Sequence, residues 1–94
     1  MKSIYTVTAV CTTIQNIHPR CFGFYFTKAK ALHAVKKDYG SMNECLFDHL
    51  VIEEFTEGII ATATQEIWFK WDHPNWVPCE KPKSLNGCVS FGIG

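Results

Sequence analysis

Nine residues, Trp68-Phe69-Lys70-Trp71-Asp72-His73-Pro74-Asn75-Trp76, constrain the fold of this chain most strongly. From Thr62 to Trp71 the chain alternates, with Ile67, Phe69 and Trp71 on one face and Glu66, Trp68 and Lys70 on the other. A period of two is the mark of a strand whose faces meet different surroundings. Asp72-His73-Pro74-Asn75 is a run of turn-forming residues. Trp76-Val77-Pro78 begins a return strand whose prolines suit a sheet edge, where a missing N–H breaks no ladder. A lone hairpin is marginal in water, so the rest of the chain must extend it into a sheet. All three tryptophans lie in this ribbon, and a 94-residue chain needs only some of that aromatic surface for its core. The remainder either stiffens the hairpin or faces a partner. Trp68, which shares its face with Glu66 and Lys70, is the ring expected at the surface, together with Trp76 at the ribbon's edge.

The other segments supply that sheet. Residues 4–13 alternate, with Tyr5, Val7, Ala9 and Cys11 against Thr6, Thr8 and Thr12, and predict a half-buried strand. After a turn at Asn16–Pro19, Cys21–Phe26 predict a second strand with Phe22, Phe24 and Phe26 on one face. Gly23 inside it signals a bulge or a close backbone approach. Thr27 can cap a helix running to about Tyr39, stopped by Gly40. Its packing stripe is Ala31, Leu32, Val35 and Tyr39, while Lys30, His33 and Lys37 share the opposite face, with Lys36 near its edge. Ser41-Met42-Asn43-Glu44 is a capping-box pattern and predicts a short helix near 42–47. His49–Phe55 predict a third strand, buried at Leu50-Val51-Ile52, with a turn at Glu57-Gly58, and Cys88–Ile93 predict a last short strand. The order β-β-α-β-β-β predicts a single α+β domain over residues 1–94. It would hold one antiparallel sheet of about five strands with one main helix packed on one face.

Several of these segments together resemble a family of small uncharacterised proteins of bacteria and their phages. The likeness is carried by Cys21-Phe22-Gly23-Phe24-Tyr25-Phe26-Thr27 leading into an Ala/Lys helix, then Val51-Ile52-Glu53-Glu54, Trp68-Phe69-Lys70-Trp71, Glu80-Lys81-Pro82 and Phe91-Gly92-Ile93-Gly94. It covers most of the chain from residue 20 onward. It implies no established activity. Small phage proteins of this kind often act by binding, including as inhibitors of host defence, and the same is expected here by analogy.

Charge and composition narrow the function classes. Hydrophobic residues make up 47% and charged residues 19%, the balance of a globular chain. No apolar run approaches the roughly 20 residues that span a bilayer, and the N-terminus lacks the apolar stretch of a signal peptide. A cytoplasmic location without membrane partners is expected, in the host cytoplasm if a phage encodes the chain. The five cysteines, Cys11, Cys21, Cys45, Cys79 and Cys88, are odd in number and suggest no disulfide framework. The formal net charge is zero but unevenly spread. Residues 1–40 carry Lys2, Arg20, Lys28, Lys30, Lys36 and Lys37 against Asp38 alone, whereas residues 41–66 carry Glu44, Asp48, Glu53, Glu54, Glu57 and Glu66 with no Lys or Arg. A duplex-binding domain is normally basic overall, so duplex DNA is not an expected partner.

Candidate chemistry is sparse. Lys28 and Lys30 sit near the positive end of the predicted helix dipole, where cations are disfavoured, and a bound anion would relieve that. The first helical turn, Thr27, Lys28 and Lys30, with Arg20 in reach, therefore form a candidate phosphate site, with Trp68 or Trp76 stacking on a base. The alternatives are a solvated lysine face and a purely structural aromatic hairpin. His73, Cys79 and Cys88 are metal-ligand types around one loop, but their spacing matches no zinc pattern. No family signature marks a Cys–His catalytic pair. The acids Glu53, Glu54, Glu57 and Glu66 read as solvent-side decoration. Asp48 and His49 are neighbours whose side chains should point to opposite faces of a strand, so no dyad is expected. The reading is a non-enzymatic binding protein with no cofactor, metal or catalytic residue. It would occlude a host protein or sequester a small anionic, nucleotide-like ligand, and it could self-associate. A small Cys–His or Glu–His enzyme and a structural or oligomerisation module are the alternatives.

Overall fold

The computed structural model describes residues 3–12, 19–37, 47–57, 64–73 and 75–83. Five strands and one helix follow in the order β1 (Ser3–Val10), β2 (Arg20–Tyr25), α1 (Lys28–Lys36), β3 (His49–Thr56), β4 (Gln65–Asp72) and β5 (Asn75–Cys79). They build one antiparallel sheet in the order β2-β1-β3-β4-β5, with α1 across one face, as the α+β pattern predicts. The expected short helix near 42–47 falls almost wholly outside the described residues. The expected strand at Cys88–Ile93, the tail Phe91–Gly94, Tyr39, Gly40, Cys45 and Gly58 also lie outside them. Among the described residues, no helix is long and apolar enough to cross a membrane.

The sheet is built around β1 and β3, which pair along their whole length from Ser3 opposite Thr56 to Val10 opposite His49. Register then fixes which side chains share a face. Val7, Ala9, Leu50, Ile52 and Phe69 face the helix and form the main core with Ala31, Val35 and Trp76. On the opposite face Val10, Val51 and Trp68 form a second buried cluster, with Cys79 packed against it. Both faces of β3 are therefore buried, which explains its unbroken apolar run Leu50-Val51-Ile52. Thr6, Thr8 and Glu53 are also buried on the face away from the helix, and the hydroxyls of Thr6 and Thr8 have no hydrogen-bond partner among the described residues.

Thr27 starts the helix as its sequence suggests. Its backbone is extended, and its Oγ1 accepts a hydrogen bond from the Lys30 N–H at 3.2 Å. The buried side is Ala31, Ala34 and Val35, not the expected stripe through Leu32. Leu32 stays 38% exposed because the i, i+3, i+4 row of two alanines and a valine faces the sheet and leaves Leu32 on the flank.

Gly23 does mark a bulge. Val7 pairs with Gly23 and the adjacent Thr8 pairs with Cys21, so Phe22 is the extra residue on β2. This overturns the common face expected for Phe22, Phe24 and Phe26. Phe22 turns to the helix side, edge-on to Phe47 at 6.2 Å, while Phe24 stands on the other face beside Thr6.

Candidate functional site

The tryptophan ribbon forms as expected, with Asp72 paired to Asn75 across the turn and Trp71 directly opposite Trp76. The Trp71 and Trp76 rings meet at 5.1 Å and 60°, a cross-strand pair of the kind that stiffens a hairpin. The rings expected outside are buried, however. Trp68 is 4% exposed and Trp76 is 8% exposed. For Trp68 the reason is its polar neighbours. Glu66 does not pull the face into solvent: its Oε1 accepts the Trp68 indole N–H at 3.1 Å and also receives Lys81 Nζ at 3.1 Å. Lys81 in turn lies 6.0 Å over the indole ring, and Val51 stands directly across on β3. The charged groups thus close over the ring. Trp76 belongs to the helix-side core and lines, with Leu32, Val35, Lys36, Phe69 and Asn75, a cleft of about 240 Å³ between α1 and the ribbon.

The proposed phosphate residues are also not gathered. Thr27, Lys28 and Lys30 stand together at the start of α1, but the Thr27 hydroxyl is already engaged by the helix it caps. Arg20 lies at the other end of β2, roughly 20 Å away at about 3.3 Å per strand residue, and its guanidinium rests 4.8 Å over the Phe22 ring. Trp68 lies three strands from β2, on the order of 14 Å across the sheet.

Two arrangements were not anticipated. The first is Asp48, where the expectation of separated side chains fails. Its Oδ1 meets His49 Nδ1 at 2.9 Å and accepts the Thr12 N–H at 3.0 Å, while its Oδ2 accepts the Thr12 hydroxyl at 2.7 Å. The Asp48 N–H donates to the Val10 carbonyl, and the Asp48 carbonyl accepts from the Trp71 N–H. Asp48 precedes the strand proper, so the alternation rule does not bind it, and it clips the end of β1 to β3 and β4. Burial works to raise its pKa, but the hydrogen bonds from His49 and Thr12 outweigh burial and hold the carboxyl below its ordinary value of 3.8. His49 also lies edge-on to Trp68 at 6.4 Å. Nearby, the Cys79 thiol is pushed up chiefly by burial, which keeps it protonated and poorly nucleophilic.

The second is the outer edge of β2. Phe24 is 59% exposed and Phe26 is 71% exposed, and their rings meet edge to face at 5.8 Å. Among the described residues β2 has a neighbour on one side only, β1. Cys21 and Arg20 are exposed along the same strand. On the helix side of this edge Tyr25, Ala29, Lys30 and His33 line a shallow depression of about 280 Å³. The signal in the sequence was present, as three phenylalanines at alternate positions beside a glycine, but the bulge that splits them could only be located by pairing with β1. In comparisons with known proteins, no family model, no curated protein and no solved structure matches this chain.

Proposed function

We propose that this chain is a small non-enzymatic binding protein that acts by occluding a partner protein with the β2 edge and the adjoining flank of α1. The observation that carries this reading is the exposed Phe24–Phe26 pair beside a sheet edge that has no neighbour among the described residues. Burying a phenylalanine is worth about 1.5–3 kcal/mol, so two neighbouring rings left in water at this edge favour a covered state. An open edge offers a second incentive, because its outward N–H and C=O groups can pair with another chain. Lys30 lines the depression beside this edge and would steer an acidic partner towards it. By analogy with the phage proteins it resembles, the partner is a component of host defence and the setting is the host cytoplasm. Sequestration of a nucleotide is the weaker form of the reading, since Arg20, Trp68 and Trp76 do not converge with Thr27, Lys28 and Lys30.

The test is retention of a partner from lysate of the chain's natural host by immobilised wild-type protein and by two variants. Phe24→Ser/Phe26→Ser should lose the retained protein, and a control at the opposite edge, Asn75→Ala, should keep it. Equal retention by all three, or none by the wild type, would refute the reading.

A further inference from the structure

Deepening that reading, and resting on it, we infer that β2 receives an extended acidic segment of the partner as an added strand. Alternate side chains of that segment would enter the depression between β2 and α1 and lie on the Phe24–Phe26 pair.

Three features converge on this form of contact. The outward side of β2 has no neighbour among the described residues, so its backbone can extend the ladder. The strand is also flanked on both faces by places for side chains. Tyr25 shares the helix-side face with the depression it lines together with Ala29, Lys30 and His33. Phe24 sits one residue earlier, on the far face opposite Thr6, with Phe26 edge-on to it. An incoming strand presents successive side chains to alternate faces, so one segment reaches both places at once.

Charge selects the segment. The described parts of residues 3–37 contain Arg20, Lys28, Lys30, Lys36 and Lys37 and no Asp or Glu. Glutamate or aspartate side chains on the helix side would meet Lys30, which lines the depression, and apolar side chains on the other side would cover Phe24. A second copy of this chain is disfavoured by the same charges, because pairing β2 with β2 would bring Arg20, Lys28 and Lys30 of one copy towards those of the other. A single nucleic-acid strand fits less well. Its bases and phosphates would have to reach Phe24 on one face of the sheet and Lys30 on the other, around the strand edge. The 87° angle between the two phenylalanine rings also offers no stacked platform.

The test uses the full chain and four probes: an octapeptide of alternating glutamate and valine, the same peptide with lysine for glutamate, the glutamate peptide with a central proline, and a thymidine decanucleotide. The expected result is that the glutamate peptide binds and slows amide hydrogen exchange in Arg20–Tyr25. The lysine and proline peptides should bind about tenfold more weakly or worse, since one reverses the charge and the other removes a ladder donor. Phe24→Ser/Phe26→Ser should weaken the glutamate peptide about tenfold while leaving the urea midpoint close to wild type. Equal binding of the lysine peptide, protection elsewhere than β2, tighter binding of the oligonucleotide, or a concentration-dependent dimer that protects β2 without peptide would each overturn the inference. If a host protein is lost with Phe24 and Phe26 but the glutamate peptide leaves β2 exchange unchanged, strand addition is wrong and occlusion stands. If no host protein depends on those rings, the occlusion reading itself fails.

Discussion

The two aromatic regions of this protein look alike in sequence and behave in opposite ways. The ribbon of β4 and β5 concentrates every tryptophan, yet Trp68 and Trp76 are buried and Trp71 meets Trp76 edge to face. The β2 strand and the residue after it carry smaller rings, and two of them, Phe24 and Phe26, stand in water. Position in the sheet explains the difference. β4 lies between β3 and β5 and has neighbours on both sides, so Val51, Val10, Glu66 and Lys81 can close over Trp68. β2 has only β1 beside it among the described residues. Aromatic density therefore coincides with burial in the ribbon, and aromatic exposure marks the edge proposed to bind.

Single substitutions probe this contrast. The largest effect should come from Trp68→Ala, which removes a buried ring and leaves a cavity. Urea unfolding should show a loss of about 3–5 kcal/mol. A loss below about 1 kcal/mol would mean that the ribbon is not part of the core.

Asp48 comes next, because it clips β1 to the ribbon side of the sheet. Asp48→Asn should cost about 1–3 kcal/mol at neutral pH through its weakened bonds to Thr12 and His49. The pH dependence has a definite sign. A carboxyl whose pKa is lower in the fold than in the open chain contributes stability above its ordinary value, and that stability fades as pH falls through the folded value. Between about pH 5 and about pH 3 the wild type should therefore lose stability more steeply than Asp48→Asn, as measured by paired urea midpoints.

Behind the exposed edge, Thr27→Ala should cost about 1 kcal/mol by removing the cap on Lys30 N–H, read from the thermal midpoint. The smallest effect should come from the edge itself. Phe24→Ala should change stability by no more than about 0.5 kcal/mol, because the ring is already in solvent.

Much of the fold was legible in the sequence because it is locally encoded. Alternation located the strands, Thr27 announced the helix, the turn residues after Trp71 placed the hairpin, and Gly23 flagged the bulge. The surface proposed to bind was not legible, because it depends on which strands are neighbours. Local alternation put Trp68 with Glu66 and Lys70 and so suggested an exposed ring. The residues that bury it, Val10 and Val51, arrive from β1 and β3, and Lys81 comes from beyond the ribbon. The same limit hid the split between Phe22 and Phe24, which exists only in the register with Val7 and Thr8. It also hid the Asp48–His49 contact, which forms because Asp48 is held outside the strand by Thr12.

Hydroxyl-radical footprinting of the free protein, resolved residue by residue by mass spectrometry, tests the contrast most directly. Tryptophan is the more reactive ring when equally exposed, so the two regions are compared within one sample. Rapid modification of Phe24 and Phe26 and strong protection of Trp68 and Trp76 are expected, with protection of Trp68 lost on unfolding. Modification of Trp68 as fast as in the unfolded chain, or protection of Phe24 and Phe26 in the free protein, would contradict it.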